Sequence, residues 1–207
     1  PQMGESGMID TFIRLISSSQ TKLDVVAQSG RALANLALCP SLRSGMISNE
    51  LLPKCLALCT GEGSDDTLIV SGATVLANVA TDDADISTSL VQMGAVQPLL
   101  KLCHNSKNEL VVASCAACLA SLAQDKDSRQ QLIEEGMRPI VKLCKSSKNE
   151  EVLAKLADVV RNLAAEDSGR AKLLELGLMQ PLMVMCNSQS KLVFVSTAIT
   201  LASLTEF

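Results

Sequence analysis

Eight cysteines and one histidine are the residues of this 207-residue chain most readily read as nucleophiles or metal ligands. Among the cysteines, Cys115-Ala-Ala-Cys118 has the spacing of a redox or metal-binding pair. His104 is the sole histidine and has no patterned Cys, Ser or carboxylate with which to build a dyad or triad. Asp158 lies within a helical pattern, where a general base is conceivable but a groove charge is the simpler reading. The clusters Asp65-Asp66 and Asp82-Asp83-Ala84-Asp85 gather carboxylates, but not in the liganding order of a calcium loop. Gly61-Glu-Gly63 has no Lys-Ser/Thr at the spacing of a phosphate-cradling loop, so it reads as a turn. No catalytic constellation results. The expectation is a protein that is not an enzyme, with no cofactor and no metal.

The cysteines make sense once the elements that carry them are aligned. Ala32-Leu-Ala-Asn-Leu-Ala37 returns as Val75-Leu-Ala-Asn-Val-Ala80, Cys118-Leu-Ala-Ser-Leu-Ala123, Val159-Val-Arg-Asn-Leu-Ala164 and Thr200-Leu-Ala-Ser-Leu-Thr205. Its fourth residues are Asn35, Asn78, Ser121, Asn162 and Ser203, at steps of 43, 43, 41 and 41. A fixed period in the low forties marks a helical solenoid. Cys59, Cys103, Cys144 and Cys186 then fall at one repeat position, about a repeat apart and too far for bridging. The positions of Cys115 and Cys118 are filled in other copies by small or apolar residues such as Ser29, Gly72, Val75 and Val159. Buried, reduced packing thiols are the expectation, which points to the cytosol, with the nucleus as the other reduced compartment.

Each copy carries the same three elements. A Gly (Gly7, Gly94, Gly136, Gly177, with Asn49 in the second copy) ends one helix in a left-handed or sharp turn. A short helix follows, with Pro53, Pro98, Pro139 or Pro181 near its start, where the missing N–H does no harm. After a polar link comes a long helix, over roughly 22–38, 66–81, 108–124, 149–165 and 190–205. Its inward stripe reads Val26, Ile69, Val112, Leu153, Phe194 and Leu33, Leu76, Leu119, Val160, Leu201, around a small column of Gly30, Ala73, Ala116, Ala157 and Ala198. An Asp- or Pro-containing turn then opens another short helix, over about 42–48, 86–93, 128–135 and 169–176, with Asp and Ser as N-cap candidates.

Three helices per copy, a Gly between the first two, a Pro in the second and Leu-x-Asn-Leu-Ala in the third: the pattern resembles the armadillo repeat, from Gly7 to Thr205. The resemblance implies an all-α, right-handed α-α superhelix of about five three-helix repeats. The expected organisation is one array over 1–207, with repeats ending near 39, 82, 125, 166 and 207. The first copy lacks its first short helix and the chain starts at Pro1, so a fragment of a longer protein is expected.

Positions 28, 31 and 35 lie about 120–180° from the core stripe at 100° per residue, forming one exposed stripe per long helix. The resulting wall holds Gln28, Ser71, Ser114, Lys155; then Arg31, Thr74, Asp158; then Asn35, Asn78, Ser121, Asn162, Ser203. Stacked columns of this kind make the concave surface of a solenoid, where Asn can pair with an extended peptide backbone through both a donor and an acceptor. Alternatively, Asn caps or bridges helices inside the stack. In the peptide-binding armadillo proteins importin-alpha and beta-catenin, the matching Asn holds the ligand main chain. Importin-alpha also places a Trp four residues earlier; here Arg31, Thr74, Ala117, Asp158 and Ile199 stand there, so nuclear-localisation-signal recognition is not expected.

Whole-chain properties narrow the partner. Hydrophobic residues make up 47% and aromatic residues 1%, a composition for closely stacked helices with Ala, Leu and Val cores. A net charge of −4 gives no electrostatic case for nucleic acid or an anionic membrane. No segment has the length and apolarity to span a bilayer, and residues 1–10 do not read as a cleavable signal peptide. The expectation is a module that binds a protein or peptide in its groove, or else a scaffold or tether that works through its ends or convex face. Oligomeric state is not legible.

Overall fold

The computed structural model describes residues 7–18, 21–47, 51–61 and 65–205. Among them are fourteen α-helices and no strand. In chain order these are α1 (Met8–Ser17), α2 (Leu23–Ala37), α3 (Pro40–Ile47), α4 (Leu51–Thr60), α5 (Asp66–Ala80), α6 (Ala84–Gln92) and α7 (Val96–Asn105). There follow α8 (Glu109–Leu122), α9 (Lys126–Glu135), α10 (Met137–Ser146), α11 (Glu150–Leu163), α12 (Asp167–Glu175), α13 (Met179–Cys186) and α14 (Lys191–Thr205). The expected long helices are α2, α5, α8, α11 and α14, each within two residues of its sequence boundaries. The short helices of the Asp- and Pro-containing turns start about two residues earlier than the pattern suggested.

Local chemistry fixes these boundaries. Asp65, Asn108 and Asn149 cap the long helices by accepting from Thr67, Leu110 and Val152 backbone N–H groups at 2.8, 3.0 and 3.0 Å. Asp83 and Asp125 do the same for α6 and α9. Gly94 and Gly177 take φ of 77° and 74°, the left-handed turn that ends one helix before the next begins. Gly136 does not: at φ −101° it stays right-handed, and α9 runs almost directly into α10. Asn49 and, in the Gly61-Glu-Gly63 stretch expected to be a turn, Glu62 and Gly63 lie outside the described residues.

Two layers result. Each long helix packs on the next, and behind them α4, α7, α10 and α13 form an outer row. Leu33, Leu76, Leu119 and Val160 are fully buried between the layers, each burial worth about 1.5–3 kcal/mol. The small column sets the helix spacing: a Cβ on Gly30 would lie 2.5 Å from the Cβ of Ser71, so α2 and α5 approach closer than any side chain permits. Phe194 departs from the expected inward stripe, being 49% exposed, because no described helix lies over that face of α14.

All eight cysteines are free. Cys59, Cys103 and Cys144 are buried in their common position, with Cys186 half-buried and Cys39 exposed. Spacing along the array kept equivalent cysteines apart, but it did not account for contacts inside one repeat. Cys115 on α8 meets Cys103 on α7, and that hydrogen bond, followed by burial, pushes the Cys115 thiol far up. Burial pushes Cys59 and Cys144 up to about 12 and raises Cys55 and Cys118 as well.

Candidate functional site

The stripe expected to face a ligand lies on the long helices and is less open than the helical wheel suggests. Gln28, Arg31 and Asn35 are exposed on α2. Thr74, Asn78, Ser114, Lys155, Asp158, Asn162 and Ser203 are half-buried. Ser71 and Ser121 are buried, which corrects the expectation that these two side chains face solvent. Ser71 fills the notch left by Gly30 and donates to its own helix at the Thr67 carbonyl, 2.8 Å away. Thr74 Oγ1 donates to the Val70 carbonyl at 2.7 Å and lies 3.5 Å from Ser114 Oγ on the next helix.

The Asn column has a definite structural use. Asn78 Nδ2 donates to the Ala34 carbonyl and Asn162 Nδ2 to the Ala120 carbonyl, both at 2.8 Å. Ala34 and Ala120 lie in the last turns of α2 and α8, where carbonyls run out of intrahelical donors. Each of these Asn residues therefore caps the helix of the preceding repeat. Ser121 is too short for that reach, and the chain supplies a substitute. Thr81, just beyond α5, donates to the corresponding Ala77 carbonyl at 2.8 Å and lies 3.1 Å from Ser121 Oγ. The Ser121–Thr81 pair spans the gap that a single Asn spans elsewhere, which is why Ser121 is buried. Asn78 and Asn162 each keep a carboxamide oxygen and a second N–H without a partner among the described residues.

A set of arginines beside this column was not recognised from the sequence. Arg43, Arg129 and Arg170 stand six residues after Ala37, Ala123 and Ala164 and donate to those carbonyls at 2.7, 3.1 and 2.6 Å. A guanidinium at a helix C-terminus satisfies orphan carbonyls and favours the negative end of the dipole. The constant offset of six from a repeated Ala was the available signal. Arg129 also pairs with Glu166 at 3.0 Å. Arg129, Arg161 and Arg170 border a cleft of about 410 Å³ with Asn162 and Ser203. Asp158 lies 3.6 Å from Arg161 one turn along α11, an ion pair rather than a poised base. Among the described residues no group of three His, Cys, Asp or Glu could hold a metal, and no helix is long and apolar enough to cross a membrane.

The model of the kinesin-associated protein (KAP) family matches residues 1–205. The chain belongs to that family. A curated relative, Rap1 GTPase-GDP dissociation stimulator 1-A of Xenopus laevis, is 26% identical over 134 residues, covering 61% of this chain and 22% of the relative. The match thus spans about a fifth of that relative's length. Among solved structures, a designed armadillo repeat protein in complex with the peptide (KR)4 superposes with a TM-score of 0.85 at 22% identity, over 99% of this chain and 84% of its own. Computationally designed armadillo repeat proteins for modular peptide recognition match with a TM-score of 0.82 at 23% identity, over 98% and 84%. This member of the KAP family is therefore an armadillo-type, right-handed α-α superhelix.

Proposed function

We propose that this chain is a non-enzymatic cytoplasmic interaction module that holds an extended protein segment against its row of long helices. The reading rests on Asn78 and Asn162. Their bonds to the preceding helix fix each carboxamide while leaving one acceptor and one N–H for a peptide backbone. Gln28, Arg31, Asn35, Lys155 and Asp158 would face the segment's side chains, and mixed charge there suits a mixed rather than a purely basic ligand. The designed peptide-recognition proteins lend support through their common fold. The family description favours a component of a kinesin-associated assembly as partner, and the Xenopus relative offers a Rap1-type GTPase as the alternative.

A second reading has its own observation behind it. Met183, Val184, Phe194 and Ile199 on α13 and α14 are 56%, 67%, 49% and 45% exposed, an apolar face on which a scaffold could seat another domain. Replacing Asn35, Asn78 and Asn162 with Ala separates the two. Asn78 and Asn162 also lose their bonds to the preceding helix, so binding is compared where circular dichroism shows the variant folded. There each lost hydrogen bond to a ligand costs about 0.5–1.5 kcal/mol, and binding should fall roughly tenfold to a thousandfold. Unchanged binding in that variant, with loss in Met183→Glu/Phe194→Glu, would replace the groove by the end face.

A further inference from the structure

Residues 96–108 and 137–149, which are α7 and α10 with the links that follow them, hold six of the 18 Lys and Arg and none of the 22 Asp and Glu. In a chain of net charge −4, this is a local reversal of sign. The fold does not demand it, since the counterparts of Lys101 and Lys142 are Arg14 on α1 but Ala57 on α4 and Val184 on α13. Lys101, Lys107, Arg138, Lys142 and Lys148 are exposed and make no ion pair or hydrogen bond among the described residues. Lys145 alone of the six is engaged, donating to the Leu176 carbonyl at 3.0 Å.

These cations border connected hollows. A cleft of about 360 Å³ between α7 and α10 is lined by Lys101, His104, Arg138 and Lys142. His104 also lines a second, of about 390 Å³, with Lys107, Ser147 and Lys148. Ser147 and Lys148 continue into a third, of about 550 Å³, which ends on Pro181 and Val184 of α13. The shared residues make one trough across three outer helices. Its rim carboxylates are engaged: Gln97 donates to Glu135 and Asn149 to Glu109, both at 2.6 Å. The trough runs past the first turns of α8 and α11, whereas Asn162 lies in the last turn of α11, so it is a separate surface from the Asn column.

We propose that this trough binds an acidic peptide segment of another protein, with one apolar residue seated against Pro181 and Val184. Helices packed about 8–10 Å apart make the trough roughly 20 Å long, enough for about six extended residues at about 3.4 Å each. Unpaired, exposed cations in a concave channel attract and orient such a segment at little desolvation cost. A membrane surface is disfavoured because the basic segments expose no large apolar side chain and Val184, at one end, is the one exposed large apolar residue among those lining the trough.

Fluorescence anisotropy with the whole chain tests this, using a dye-labelled hexapeptide of five glutamates and one leucine at either end. Saturable binding is expected to weaken about tenfold between about 50 and 200 mM salt. It should fall about thirtyfold in Lys101→Glu/Lys142→Glu and about fivefold in Lys101→Gln/Lys142→Gln, with circular dichroism unchanged. Replacing the leucine with glutamine should weaken it several-fold, and Asn162→Ala should leave it intact. Absence of saturable binding, insensitivity to both double variants, or loss in Asn162→Ala alone would overturn the proposal. So would tighter binding to phosphatidylserine-containing vesicles, lost in the same double variants, which would give the trough to a membrane.

Discussion

Replacing Thr81 with Ala should destabilise the array by about 1–2 kcal/mol, and replacing Ser121 with Asn in the same molecule should restore about half of that. Thr81 Oγ1 makes two contacts, with the Ala77 carbonyl at 2.8 Å and with Ser121 Oγ at 3.1 Å. Both are part-buried, and each such bond is worth about 0.5–1.5 kcal/mol net. Without Thr81 the Ala77 carbonyl, in the last turn of α5, loses its side-chain donor. An Asn at 121 would then reach it as Asn78 and Asn162 reach Ala34 and Ala120. With Thr81 present, its hydroxyl stands 3.1 Å from the Ser121 hydroxyl, in the path a longer Asn would take to that carbonyl, so Ser121→Asn alone should gain nothing. The double-mutant cycle should therefore show about 0.5–1 kcal/mol of favourable coupling. Urea unfolding followed by far-UV circular dichroism gives the three free-energy changes. Amide exchange of α5 and α8 localises them, since stacked repeats open in parts. Additivity within about 0.3 kcal/mol would refute the idea that Ser121–Thr81 and a lone Asn are alternative caps of one carbonyl.

Two further outcomes follow from burial. The thiols of Cys59 and Cys144 are pushed up to about 12, from an ordinary value near 9.0. The unfolded chain releases these protons first, so the stability they contribute is intact below about pH 9 and is lost as pH rises toward 12. At pH 10 each costs about 1.4 kcal/mol, and Cys144→Ala should make the fall in unfolding free energy with pH shallower by about one proton. The other outcome concerns Gly169, where a Cβ would fall 2.0 Å from the Leu163 carbonyl oxygen. Gly169→Ala should cost more than about 2 kcal/mol in urea unfolding, while Gly94→Ala, with open space but φ of 77°, should cost about 1 kcal/mol.

What was legible in the sequence is what repeats enforce. Helix order, the inward stripe and the shared cysteine position recur at a fixed period, and each must be buried by the same neighbour in each copy. What escaped depends on pairs of residues in different copies. A helical wheel gives the direction of Ser71 from its own axis, but the notch that buries it belongs to Gly30, one repeat earlier. The same holds for Ser121, whose environment is set by Thr81, a residue outside any helix. Phe194 kept its place in the pattern and lost its cover. The contact between Cys103 and Cys115 was hidden for a related reason: aligning equivalent positions compares copies and says nothing of two different positions in one copy.

The use of Asn78 and Asn162 as caps also decides where selectivity in the groove would have to arise. An amide already committed to the neighbouring helix can offer a peptide only a fixed donor and acceptor, which every peptide bond satisfies equally well. On the groove reading, then, the column sets the path of the bound chain and not its sequence. Discrimination would fall to Arg31, Lys155, Asp158 and Arg161, which differ from copy to copy. Among these, Asp158 and Arg161 partly neutralise each other at 3.6 Å, and a ligand charge must compete with that pair before it gains anything. Among the described residues the five cations of the outer trough are in no ion pair, and the rim carboxylates Glu109 and Glu135 are held by the amides of Asn149 and Gln97 instead. Charge selection by this chain should therefore be stronger on its outer row of helices than in its groove, even though the groove is the surface its repeats build.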